Sequence, residues 1–159
     1  MALWTNTAEE VEAADVGEGE PRRSPYADWA WARIFSDFEH RPAVFTDIGV
    51  PDNPIQYATP AFCAMTGYAL EEVVGRNCRM LQGPGTDPEA VAAIRAALTE
   101  KLPVTLDILN YRKDGSPFWN RLRIRPVVGP GGIVQRFIGV QNEIDAAEVR
   151  PGAFLSFAA

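Results

Sequence analysis

The spacing of apolar residues changes character twice along the chain. Between positions 26 and 40, Trp31, Ile34, Phe35 and Phe38 recur at three- and four-residue steps, which predicts an amphipathic helix ending before Pro42. From there the pattern shortens. AVFTDI at 43–48 and IQYA at 55–58 read as strands flanking the turn VPDNP at 50–54. Short helical pieces are expected over 60–68 and 70–74. Thr86, Asp87, Pro88 and Glu89 then carry helix-start chemistry, with Thr86 and Glu89 at capping-box spacing, for a helix running to about Lys101. Three strand-like runs follow at 104–112, 118–128 and 133–144, separated by the turns Lys113-Asp114-Gly115 and 129–132. The order is two strands, helices, three strands, an α+β arrangement.

Alternation along the last three runs sorts their side chains onto two faces. In the first run Val104, Leu106, Ile108 and Asn110 share a face. In the second Phe118, Asn120, Leu122 and Ile124 lie opposite Trp119, Arg121, Arg123 and Arg125, so the basic row marks solvent and the other the interior. In the third, Phe137, Gly139 and Gln141 line up, and Gly139 would let a flat group approach the backbone. Three carboxamides thus enter an apolar wall, where each costs roughly 1 to 3 kcal/mol if left unpaired. Each alone could bond the backbone. Together they suit a planar heterocycle of alternating donors and acceptors, such as a flavin or pterin.

Composition narrows the classes. The chain has 159 residues, enough for one domain with flanks, and 47% apolar content, which suits a folded globular protein. Residues 1–25 carry Glu9, Glu10, Glu12, Asp15, Glu18 and Glu20 among glycines and prolines and are expected to be a flexible acidic leader. No apolar run reaches the ~20 residues of a membrane span, and the start lacks a basic, then apolar, signal, so a cytoplasmic location is expected. A net charge of −6 argues against nucleic acid or an anionic membrane as a partner. Two cysteines and one histidine, His40, are too few for a disulfide framework or for most histidine and cysteine metal sites; no metal is expected.

The candidate chemistry lies in GRNCRMLQ at 75–82. Asn77 is a plausible N-cap, which puts Cys78 in a first turn where the backbone dipole favours thiolate character. On a helix Cys78, Arg79 and Gln82 fall on one arc of about 100 degrees. Arg95, at the edge of the stripe Val91, Ile94 and Leu98, is expected to reach an anion, and Arg79 and Arg95 together could clamp a phosphate. The bland alternatives are two surface arginines with packed stems and a cysteine acting as a small hydrophobe. That last reading is the one taken for Cys63.

GRNCRMLQGPGTDP at 75–88, NYRKDGSPFWN at 110–120, FIGVQ at 137–141 and FTDIGVPDNPIQYATPAF at 45–62 resemble, in order and spacing, the LOV (light-oxygen-voltage) domains of the PAS superfamily. The resemblance covers roughly 42–145. It implies a PAS fold, a five-stranded antiparallel sheet with helices on one face enclosing flavin mononucleotide (FMN), and a blue-light photoreceptor rather than an enzyme. It implies that Cys78 forms a reversible covalent bond to ring carbon 4a, that Arg79 and Arg95 hold the phosphate, and that Asn77 and Gln82 contact the ribityl chain and ring. Asn110, Asn120 and Gln141 would bond the ring edge, and Thr46, Asn53, Leu98, Leu122, Ile124, Phe137 and Gly139 complete the expected cofactor wall. As the neighbouring ring nitrogen gains a proton, the Gln141 amide should turn to present its oxygen. Met80 stands where the family usually has Phe, which bears on the lifetime of the bond.

Residues 146–159 are expected to be a short tail without an effector, with any helix at 145–150 barely two turns long. The apolar outer positions Leu109, Tyr111, Trp119, Ile138 and Val140 need cover. The helix at 26–41 is expected to supply it and to build a homodimer. Three other readings stay open: a PAS module binding haem or another ligand without photochemistry, a flavin redox enzyme, and a plain dimerisation domain. Against the enzyme stand the lack of a nicotinamide fingerprint, a second redox cysteine and an acid–base pair.

Overall fold

A computed structural model describes residues 37–154. Most of the helix expected at 26–40 lies outside the described residues, as do Trp31, Ile34 and Phe35; at its end, residues 37 and 38 are helical. The chain then forms β1 (Ala43–Asp47), β2 (Ile55–Ala58), α1 (Pro60–Thr66), α2 (Leu70–Val73), a 3-10 turn (Cys78–Leu81) and α3 (Pro88–Glu100). It closes with β3 (Val104–Tyr111), β4 (Pro117–Val128), β5 (Val134–Val140) and two short strands, β6 (Glu143–Ile144) and β7 (Ala153–Phe154). All strand pairs are antiparallel, in the order β2-β1-β5-β4-β3-β7, with β6 beside β4. The five longer strands are the sheet expected from the sequence.

Two local expectations are corrected. Asp87, not Thr86, caps α3: its carboxylate accepts the Glu89 N–H at 2.9 Å. Thr86 is held elsewhere, its hydroxyl donating to the Leu109 carbonyl at 2.7 Å and accepting from Gly83 N–H at 3.0 Å. The final run, 133–144, is not one strand. It breaks at Gln141–Asn142 because the Gln141 N–H turns to the Pro42 carbonyl at 2.8 Å and the Asn142 N–H to the Asn120 side chain at 3.1 Å.

The sheet separates two apolar layers. On the helix side, Ala90, Val91, Ile94, Ala97 and Leu98 of α3 pack on Val104, Leu106, Ile108, Ile124 and Phe137, while Phe62 and Val73 pack on Val44 and Ile55. Thr59 knots this region: fully buried, its hydroxyl donates to Arg41 O, accepts from Ala43 N–H and caps α1. On the outer side Phe38 lies edge-on to Phe45, ring centroids 6.1 Å apart, in a layer with Ala43 and Ile138. The outer surface near Leu109 and Tyr111 is covered differently. The Gly83–Thr86 loop crosses it, with Gly85 N–H donating to the Tyr111 hydroxyl at 2.8 Å. A Cβ on Gly83 would stand 2.4 Å from the Tyr111 ring, so only glycine fits.

The tail also crosses the outer face. Residues 146–148 form a single 3-10 turn, and β7 pairs with β3 at Thr105 and Leu106. Asp107, its side chain inaccessible, receives two bonds from the Arg121 guanidinium, at 2.8 and 2.9 Å, and one from Arg150 N–H at 2.8 Å. Arg121 in turn donates to Glu148 O at 3.0 Å. Burial alone would raise the Asp107 carboxyl, but these donors outweigh it and hold it below its ordinary value. No described helix is long and apolar enough to cross a membrane.

Candidate functional site

One cavity lies between the sheet and the helices. Its wall contains Thr46, Asn53, Asn77, Cys78, Arg79, Gln82, Leu98, Asn110, Asn120, Leu122, Ile124, Phe137, Gly139 and Gln141, each singled out from the sequence. Val44, Leu81, Ile94 and Ile108 join them. Ile108 and Ile94 were legible as members of inward-facing rows; Val44 and Leu81 gave no polar signal to mark them. Among the described residues, Cys78 and Arg79 are the only ionisable side chains on this wall.

Arg95 is not on it. It is exposed and lines an adjacent groove with Gly83, Thr86, Pro88, Val91 and Ala92, joined to the cavity through Gln82. The expected two-arginine clamp is therefore split between cavity and groove. Arg79 is engaged, its guanidinium paired with Asp52 at 2.5 Å.

The strands deliver the three amides as alternation requires. Asn110, Asn120 and Gln141 are all buried, and Ile108 and Asn110 of β3 sit in register with Asn120 and Phe118 of β4. Part of their polarity is met internally. Asn120 donates to Asn110 Oδ1 at 2.9 Å and accepts from Asn142 N–H, while Asn110 donates weakly to Leu109 O at 3.4 Å. In the orientation that satisfies its surroundings, the Gln141 amide nitrogen donates to the carbonyls of Pro42 at 3.0 Å and Gly139 at 3.3 Å. Two other wall atoms, Thr46 Oγ1 and Asn53 Oδ1, are buried and have no partner among the described residues. Leaving both unmet is costly, so a polar ligand fits this wall.

Cys78 opens the 3-10 turn, and Asn77 caps it, accepting the Arg79 N–H at 2.9 Å. The expectation of thiolate character fails. Four residues of 3-10 turn supply little dipole, and desolvation pushes the Cys78 thiol up to about 12, against a weaker opposing backbone hydrogen bond. The sulfur is a protonated thiol at neutral pH. Met80 and Cys63 pack with Cys78 against Phe62, Val73 and Leu81, and neither lines the cavity. Cys63 is likewise raised, by burial and by Glu71.

Comparison with known proteins identifies this arrangement. A PAS domain family model matches residues 42–146. A blue-light-activated histidine kinase of Brucella ovis is 48% identical over 112 residues, covering 70% of this chain, and its counterpart in Brucella abortus is equally similar. The chain spans 23% of the length of those kinases. Among solved structures, the light-state LOV domain of the photoreceptor Aureochrome1 superposes with a TM-score of 0.66 at 43% identity, covering 67% of this chain and 84% of that one. The LOV domain of the Erythrobacter litoralis EL346 blue-light activated histidine kinase gives 0.63 at 40% identity, covering 65% and 95%. This chain belongs to the PAS domain family and, within it, to the LOV domains of blue-light photoreceptors, whose chromophore is a flavin.

Proposed function

We propose that the cavity holds FMN and that Cys78 bonds to it reversibly under blue light. One observation carries the reading: the cavity's only thiol keeps its proton, on a wall that also presents three buried amides and two unpartnered oxygens. When bound, the flavin supplies blue-light absorption and an electrophilic ring carbon beside a basic ring nitrogen.

Cys78 supplies both halves of what is added. With the flavin bound, its sulfur would be the bonding atom and its own proton the one given up, so no outside acid would be consumed and the proton's return would restore the thiol in the dark. Asn110 and Asn120 would orient the ring edge, Thr46 and Asn53 would give their unpartnered oxygens to the ligand, and Arg79 would face the phosphate, with Arg95 in the neighbouring groove. In the orientation that satisfies its surroundings, Gln141 would already hold its amide nitrogen on the carbonyls of Pro42 and Gly139 and leave its oxygen for a protonated ring nitrogen. The role we give the cavity is sensing, supported by the likeness to the LOV domains of blue-light photoreceptors. For a partner we propose a second copy of the chain, joined through residues 26–40 and the outer sheet face, a reading supported by Phe38 already seated there.

The test is an absorption spectrum before and after blue illumination. The flavin band of the wild type should bleach and recover in the dark, and that of Cys78→Ala should not bleach. A reversible bleach of the same kind in Cys78→Ala would refute the role given to the sulfur.

A further inference from the structure

At the rim of the cavity the turn between β1 and β2 is wound in an unusual way. Asp52 and Asn53, neither of them glycine, both have left-handed backbones, with φ of 72° and 45°. The second residue carries its unpartnered oxygen onto the cavity wall. The first is tied to the Cys78 turn twice. Its carbonyl accepts from Asn77 Nδ2 at 2.7 Å and its carboxylate pairs with Arg79 Nη2 at 2.5 Å. Asn77, Cys78 and Arg79 are consecutive wall residues, so Asp52 places a negative charge beside the one guanidinium that the wall possesses.

We propose that Asp52 is a specificity-determining residue that sets how far the site prefers a phosphorylated flavin over an unphosphorylated one. The inference rests on the flavin reading above. A ligand phosphate at Arg79 meets not a free cation but one already compensated, and it is repelled by the carboxylate behind it. The Asp52 and Arg79 side chains are each 57% exposed, so the pair is screened and weak enough to be rearranged. Its effect is a discount on phosphate recognition rather than a block. The ring-edge amides Asn110, Asn120 and Gln141 have no bond to Asp52, and Asn77 meets it only at the uncharged backbone carbonyl, which Asp52 shares with any residue at that position. Riboflavin binding is therefore indifferent to this charge, and FMN binding is not.

Asp52→Asn tests this with little disturbance, because Asn tolerates a left-handed backbone at least as well as Asp and keeps the carbonyl that Asn77 holds. Affinities for FMN and for riboflavin would be measured on flavin-depleted protein at low and high salt. The expected result is FMN binding tightened roughly two- to five-fold at low salt, the scale of an exposed ion pair, with riboflavin unchanged. The gain should shrink at high salt, and in an Arg79→Ala background only the direct repulsion by the carboxylate should remain to be relieved. Weaker FMN binding in Asp52→Asn would overturn the proposal, since Asp52 would then be aiming Arg79 rather than competing for it. An equal change for both flavins, or none for either, would overturn it too. A wild-type chain that binds neither flavin defeats the flavin reading itself, a separate outcome.

Discussion

Cys78 is where a single atom's surroundings decide the chemistry. Because burial pushes its thiol to about 12, the reactive species carries its own proton throughout the neutral range. Bleaching yield per absorbed photon should therefore stay flat from about pH 6 to about pH 9.5, with the dark spectrum as a check on integrity. A yield that climbed through the usual thiol value near 9 would instead reveal a thiolate nucleophile. The sign for stability follows the same shift. The folded state holds this proton more tightly than the unfolded chain, so stability falls once pH rises above about 9. The identity of the residue was readable from its motif, but its protonation was not. Position in a first turn suggests a lowered value, whereas desolvation belongs to a cavity that only the assembled fold creates. The amides read well because a two-residue period leaves an inward side chain no alternative. Arg95 falls in the groove beside the cavity rather than on its wall, since a residue at the edge of a helical stripe can fall on either side of it.

Among the elements, the tail from Asp145 to β7 is anchored on a buried carboxylate. Asp107 holds it through Arg150 N–H directly and through Arg121 to Glu148 O. Hydrogen bonds to a charged, buried partner contribute roughly 1.5–3 kcal/mol. In Asp107→Asn the amide of Arg150 should lose most of its protection from hydrogen exchange, while the strands β1, β4 and β5 keep theirs. Unchanged protection at Arg150 would show that strand pairing alone holds the tail. Acid should act in the same direction. Asp107 titrates below its ordinary 3.8, so its contribution is complete above that value and is lost as pH falls through the depressed one. The docking of this tail was not foreseen, because the aspartate that anchors Arg150 lies 43 residues away. The helix cap was misread for a similar reason. Thr86 and Asp87 can both cap, and the bond from Thr86 to Leu109 O, 23 residues distant, decides between them. Strands and their turns were legible because both signals are local.

At the scale of the whole molecule, the outer face of the sheet is shared by three kinds of cover. The Gly83–Thr86 loop lies over Leu109 and Tyr111, the tail over Asp107, and Phe38 over Phe45 and Ile138. Of the expected apolar outer row, Trp119 and the part near Ile138 and Val140 thus remain for residues 26–40 to cover. Light scattering should give the full chain twice the mass of one subunit and a version lacking residues 1–40 the mass of one, with bound flavin in both as the check on folding. Equal masses per chain would exclude the N-terminal segment as the dimer contact.

Asn120, a residue of the cavity wall, also receives the N–H of Asn142 on its amide oxygen, where the chain leaves β5. Ligand site and chain exit therefore share one side chain, and linkage makes any coupling through it reciprocal. Whatever steadiness an occupant lends to that exit, a molecule gripping the exit must return as affinity for the occupant, by the same factor.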